Sequence, residues 1–133
     1  MYIWTSPLSC NGIWVAFDDS DKHNGCLWGV PGSHKKDVPI TYYMKQWLNS
    51  SGHKETVYEG EAPIFDISKA VPLEVKKGSV VLLNGAFVHY SDHNYSEDSR
   101  HAFTMHIVEG RETKWEADNW LIRPDNFPFR LMN

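Results

Sequence analysis

Short apolar runs separated by dense turn signals set the rhythm of this chain. Residues 12–17, Gly-Ile-Trp-Val-Ala-Phe, form the first run, which stops at Asp18-Asp19-Ser20-Asp21. A run this short, rich in β-branched and aromatic residues, predicts a strand. Asn24-Gly25 is a strong hairpin signal, so 26–30, Cys-Leu-Trp-Gly-Val, reads as the returning strand, ended by Pro31-Gly32-Ser33-His34. Residues 35–60 are polar and mixed; Tyr42, Tyr43 and Trp47 suit one face of a short helix, with a polar loop over 49–55. Residues 63–76 read as extended segments broken by Pro63 and Pro72. After a turn at 76–78, the run 79–83, Ser-Val-Val-Leu-Leu, predicts a buried strand. Asn84-Gly85 then turns the chain into a short strand over 86–90. A polar loop spans 91–99, and 101–108 predicts the next strand. The polar tail from Glu109 carries Trp115, Trp120, Phe127 and Phe129, expected to pack on the outside. Many short strands with little helix predict a single all-β domain, a sandwich, jelly roll or barrel.

Composition narrows the function classes. The chain has 133 residues, 41% hydrophobic and 23% charged, which is globular rather than disordered. Its net charge of −4, without a basic run, argues against nucleic acid as the main partner, because phosphate binding needs clustered Lys and Arg. No apolar stretch nears the roughly 18 residues of a membrane span. No secretory signal is read at the start, so no membrane partner and a cytoplasmic location are expected. Cys10 and Cys26 lack metal or redox spacing and read as buried thiols. An aromatic share of 14% points to a lined cavity or a thick β core.

Among the seven His, His23, His34 and His53 sit beside turns, and His101 and His106, five apart on a strand, face opposite ways. His89 stands out. It ends an apolar strand, Ser91 follows two residues later on the same face, and Arg100 opens the next strand. An antiparallel return would bring His89 and Arg100 alongside each other. An imidazole, a hydroxyl and a guanidinium converging there would suit a metal-bound carboxylate. On spacing alone, a strand-end His and a surface Arg is the competing reading.

Four segments raise the specificity: Trp14–Asp19, Asn24-Gly25-Cys26-Leu27-Trp28-Gly29-Val30-Pro31-Gly32-Ser33-His34, Lys77–Gly85, and His89-Tyr90-Ser91 followed by Ser99-Arg100-His101-Ala102-Phe103-Thr104-Met105-His106. In content and order they resemble the phytanoyl-CoA dioxygenase family, from near the start to about Trp120. The resemblance implies an incomplete double-stranded β-helix of the jelly-roll or cupin type, and an Fe(II)- and 2-oxoglutarate-dependent dioxygenase acting on a small-molecule substrate. It implies that His89 is an iron ligand, that Arg100 holds the remote carboxylate of 2-oxoglutarate, and that Ser91 and Trp14 add contacts to that cosubstrate. The family's other iron ligands, a His-x-Asp pair, would fall just before Met1. The chain therefore reads as a C-terminal part of a longer protein, a fragment or a short isoform. It is expected to bind iron weakly and to offer open sheet edges for pairing.

His53-Lys54-Glu55 has the His-x-acid pattern but lies in a polar loop, and Asp18 and Asp19 read first as turn residues. Two other functions stand beside the oxygenase: an inactive isoform serving as a binding or regulatory module, and an unrelated carbohydrate-binding jelly roll. Lys35-Lys36 and Lys76-Lys77 are only pairs in turns, so nothing here suits the phosphates of coenzyme A.

Overall fold

The computed structural model describes residues 3–35, 42–61, 64–124 and 126–132. In chain order the strands are β1 (Thr5–Ser6), β2 (Asn11–Ala16), β3 (Leu27–Gly29), β4 (Tyr42–Leu48), β5 (Lys54–Gly60), β6 (Val71–Leu73), β7 (Val80–Asn84), β8 (His89–Ser91), β9 (Ala102–Ile107) and β10 (Lys114–Trp115). The helical content among the described residues is two single 3-10 turns, Ser33–Lys35 and Ile67–Lys69. None of these is long or apolar enough to cross a membrane. The described residues within 11–38 and 64–107 form one compact unit, and those within 1–10, 39–63 and 108–133 form another.

The first unit is a two-sheet sandwich, as the strand pattern predicts. One antiparallel sheet has the order β7-β2-β9 and the other β6-β3-β8. Residues directly opposite on paired strands share a face, and each strand alternates faces with period two. Trp14 opposes Val81 and Thr104, Ala16 opposes Ala102, and Gly12 opposes Leu83 and His106. In the second sheet Leu27 opposes Leu73 and Ser91, and Gly29 opposes Val71 and His89. Trp14, Ala16 and Leu27 are buried together, packed by Leu73, Val75, Val81, Leu83 and Ala102. The core thus draws on one face of each sheet.

Three expectations are corrected. First, β2 and β3 are not a hairpin: they lie in different sheets. Residues 18–26 instead close on themselves. Asn24 Nδ2 donates to Asp19 O at 2.8 Å, Asn24 Oδ1 accepts from Asp21 N at 2.8 Å, and Cys26 N donates to Asp21 O at 2.9 Å. That is a broad loop carrying the chain across the core, with Gly25 at φ 79° as its exit. Second, β7 is an edge strand rather than a buried one: Val80 and Leu82 on its outer side are exposed, while Val81 and Leu83 pack inward. Pro72 likewise sits on an edge strand, β6, where a missing N–H costs little.

The third correction falls in the other unit. The segment read as a helix is β4, paired with β5 from Tyr42↔Gly60 to Leu48↔Lys54. Asn49 Oδ1 accepts from Ser51 N and His53 N, both at 3.0 Å, and Gly52 takes φ 76°. This five-residue turn lets the aromatic strand fold back on itself, and the cross-strand ladder wins over a short uncapped helix. The tail also forms structure beyond aromatic packing. β10 pairs with β1, Trp115 packs on Phe129 with centroids 4.5 Å apart, and the buried Asn119 donates to Trp4 O at 2.8 Å. Lys45 pairs with Glu59 across the hairpin.

Candidate functional site

The candidate site lies in the two-sheet unit. Leu27 belongs to the core, so its β8 partner Ser91, and His89 two residues earlier, lie on the core-facing side of β8. Ser91 Oγ donates to Gly25 O at 2.9 Å and accepts from Arg100 Nη2 at 3.0 Å. Gly25 is required there twice over. Its φ is positive, and a Cβ on it would lie 2.9 Å from Asp92 O. Arg100 lies just ahead of β9, in the opposite sheet. Its guanidinium carbon is 5.7 Å from the Trp14 ring centroid, a cation–π arrangement on a buried indole.

Arg100 and β8 therefore meet across the core, from two sheets, rather than on neighbouring antiparallel strands as the spacing suggested. The strand order explains this: among the described residues β8 pairs only with β3 and β9 only with β2. Asp18 secures the backbone of His101, the residue after the arginine. The Oδ2 of Asp18 accepts from His101 N at 2.8 Å and lies 2.9 Å from His101 Nδ1, and Phe17 N donates to His101 O at 2.9 Å. The hydrogen bond from the His101 backbone, then that from its ring, holds the Asp18 carboxyl below the usual carboxylate range. Asp19 is held low in the same way by Lys76 and by the Lys77 backbone N–H. Both aspartates thus fasten the turn.

Arg100 keeps unused donors. Its Nε is buried and has no hydrogen-bond partner. A guanidinium carries five N–H groups in a fork that matches a carboxylate. With Ser91 beside it and Trp14 as a wall, the donor set suits a carboxylate. The residues present therefore fit the remote carboxylate of a dicarboxylic cosubstrate.

The fit to iron is partial. His89 is exposed and carries one possible ligand nitrogen. Among the described residues no three His, Cys, Asp or Glu side chains gather in a metal-binding group. His53 and Glu55 do not fill the gap. They belong to the β4–β5 hairpin of the other unit, where the His53 backbone N–H and the Asn49 amide, which donates to Glu55 Oε1 at 2.6 Å, close the turn. Cys10 and Cys26 are free and buried, and burial pushes both thiols up, away from the ligating thiolate form.

Sequence reasoning passed over two residues on the core-facing side of β9. Thr104 opposes Trp14 and His106 opposes Gly12, yet both are exposed. They form a polar stretch of an otherwise apolar sheet face. The Cδ2 of His106 lies 3.9 Å from where a Gly12 Cβ would stand, so the imidazole sits beside Gly12 at ordinary van der Waals distance. The signal was present: positions 102, 104 and 106 share one face by strand alternation.

A family model for phytanoyl-CoA dioxygenase (PhyH) matches residues 1–102. The chain belongs to the phytanoyl-CoA dioxygenase family. It is 37% identical over 122 residues to phytanoyl-CoA dioxygenase 1 of Oryza sativa subsp. japonica, covering 92% of this chain and 41% of that protein. It is 40% identical over 118 residues to the phytanoyl-CoA dioxygenase domain-containing protein 1 homolog of Caenorhabditis elegans, covering 89% and 41%. With phytanoyl-CoA dioxygenase domain-containing protein 1 of Danio rerio the figures are 40% over 129 residues, 96% and 43%. The chain thus spans less than half the length of these relatives. In fold it is similar to EvdO2 from Micromonospora carbonacea var. aurantiaca, solved in complex with 2-oxoglutarate, with TM-score 0.58 and 18% identity over 86% of this chain and 44% of that one. The architecture is the expected jelly-roll type.

The sequence blocks that carry the family resemblance have local physical jobs in this structure. In the block from Asn24 to His34, Asn24 ties the crossing loop and Gly25 O accepts from Ser91. Ser33 Oγ accepts from Val88 N at 2.9 Å. That block therefore braces β8 from both ends of β3.

Proposed function

We propose that this chain forms the cosubstrate-holding part of an Fe(II)- and 2-oxoglutarate-dependent dioxygenase that hydroxylates a small molecule. The observation that carries the reading is the convergence of Arg100, Ser91 and Trp14, with a buried guanidinium N–H left unpartnered. Under this reading Arg100 and Ser91 bind the remote carboxylate of 2-oxoglutarate, Trp14 walls it, and His89 supplies one iron ligand. Thr104 and His106 line the same side of the sheet and face the substrate. Divalent iron sits low in the metal-affinity order and needs several ligands, so one histidine does not hold it. The reading places the other two ligands, a His-x-Asp pair, outside the 133 residues.

That no three-ligand metal group forms among the described residues also favours a second reading, a binding or regulatory module without turnover of its own. Ligand-detected NMR with 2-oxoglutarate, followed by anaerobic Fe(II) titration, tests both. Saturable binding that requires Arg100, without a stoichiometric charge-transfer band, is the expected result for this chain. Failure to bind 2-oxoglutarate removes the first reading, and a stoichiometric band overturns the ligand count. For a chain extended to the relatives' length, 2-oxoglutarate decarboxylation supports the enzyme; its absence despite bound iron supports the module.

A further inference from the structure

Histidine has two ring nitrogens, and its use as an acceptor or ligand depends on which one carries the proton. At His89 the structure decides this locally. The Nδ1 of His89 lies 2.8 Å from the carbonyl oxygen of Phe87, two residues back on the same chain. A carbonyl only accepts, so Nδ1 must carry the hydrogen. In the neutral ring Nε2 is then the lone-pair nitrogen, and no described residue bonds it.

The carbonyl that sets this tautomer is itself held. Phe87 N donates to Asn84 O at 2.9 Å, Val88 N donates to Ser33 Oγ at 2.9 Å, and Val88 O accepts from Val30 N at 2.9 Å. The Phe87 ring is stacked with the His89 imidazole, with centroids 6.2 Å apart and planes 10° apart. The edge-on His34 ring lies 6.0 Å from that of Phe87. The phenyl ring lies over Gly29, the β3 partner of His89: a Cβ there would stand 2.3 Å from Phe87 Cζ and 2.5 Å from Cε1. Real Cβ atoms do not approach so closely, so the ring occupies this place only because residue 29 has no side chain.

We infer that Phe87 and Gly29 are positioning residues for His89: Gly29 makes room for the Phe87 ring, which stacks with the imidazole, while the Phe87 carbonyl fixes the Nδ1–H tautomer and leaves Nε2 as a free acceptor. The inference deepens the oxygenase reading and rests on it for its purpose, since a metal ligand needs an unprotonated nitrogen in a fixed direction. The geometry itself needs no metal.

The test is long-range 1H–15N correlation of the histidine rings in the 133-residue chain, metal-free, at about pH 8.5, where histidine is neutral. Assignment uses a His89→Gln variant. The expected spectrum shows His89 with Nδ1 protonated and Nε2 unprotonated, the tautomer that free histidine in water disfavours. An Nε2–H tautomer, or a fast-exchanging mixture like that of free histidine in water, overturns the inference, whatever any variant does. Gly29→Ala should drive His89 toward the mixture by evicting the phenyl ring, and Gly29→Ala with Phe87→Leu should bring the Nδ1–H form back. If Gly29→Ala folds and leaves the His89 signals unmoved, Gly29 has no positioning role. The result is separable from the oxygenase reading, which stands or falls on Arg100-dependent binding of 2-oxoglutarate.

Discussion

Arg100→Leu separates binding from stability, because the arginine contributes little to the resting fold. The variant loses the hydrogen bond from Nη2 to Ser91, worth about 1 kcal/mol, and the contact with Trp14, worth about 0.5–1 kcal/mol for a partly exposed cation. It also removes a buried N–H with no partner, whose desolvation costs about 1–3 kcal/mol. Ser91 keeps its bond to Gly25 O, so no new orphan is created. These contributions offset one another, and the urea midpoint should move by no more than about 1 kcal/mol equivalent. Binding should behave otherwise. Removing one partner of a hydrogen-bonded charge pair costs about 2–5 kcal/mol, and the only partly buried setting of Arg100 places it toward the lower end. A loss of about 2–3 kcal/mol corresponds to roughly 30- to 150-fold weaker binding of 2-oxoglutarate. Ligand-detected NMR titration suits the weak affinities of a metal-free chain. Glutarate, which keeps the remote carboxylate and lacks the keto group, should weaken in parallel. A variant that binds 2-oxoglutarate as the parent does, or that melts several kcal/mol lower, refutes the reasoning.

Trp14→Ala empties the centre of the core and should destabilise by about 3–5 kcal/mol in chemical denaturation, against less than 1 kcal/mol for the outward Leu82→Ala. Gly25→Ala forces a side chain into a positive-φ site against Asp92 O, so it should cost more than about 1 kcal/mol and weaken 2-oxoglutarate binding through Ser91; unchanged binding would detach Gly25 from the site. The Asp18 carboxyl titrates below its unfolded value of about 3.9. Its contribution is therefore complete above that value and disappears as pH falls through the lowered folded value. Asp18→Asn should flatten the acid limb of a stability–pH curve, and an unchanged limb would remove the clamp from the account.

The residue pattern alone settled a good deal. A short apolar run located β2, alternating residues located β9, and the period of two put His89 and Ser91 on one face, because the side-chain period of a strand is a local property. The spacing of His89, Ser91 and Arg100 pointed to a carboxylate site, whereas Asn24-Gly25 pointed to a β2–β3 hairpin that the sheet order does not contain. Pairing was another matter. Nothing local says that β2 joins β7 and β9 while β3 joins β6 and β8, because backbone hydrogen bonds are alike everywhere and only burial of one face of each sheet selects the partner. The same long-range choice turned the helix expected near Tyr43 and Trp47 into a hairpin, brought Arg100 onto Ser91 from across the core, exposed His106 on an inner face, and laid Phe87 over Gly29. Local physics wrote the strands and their faces, whereas the tertiary structure decided which faces meet.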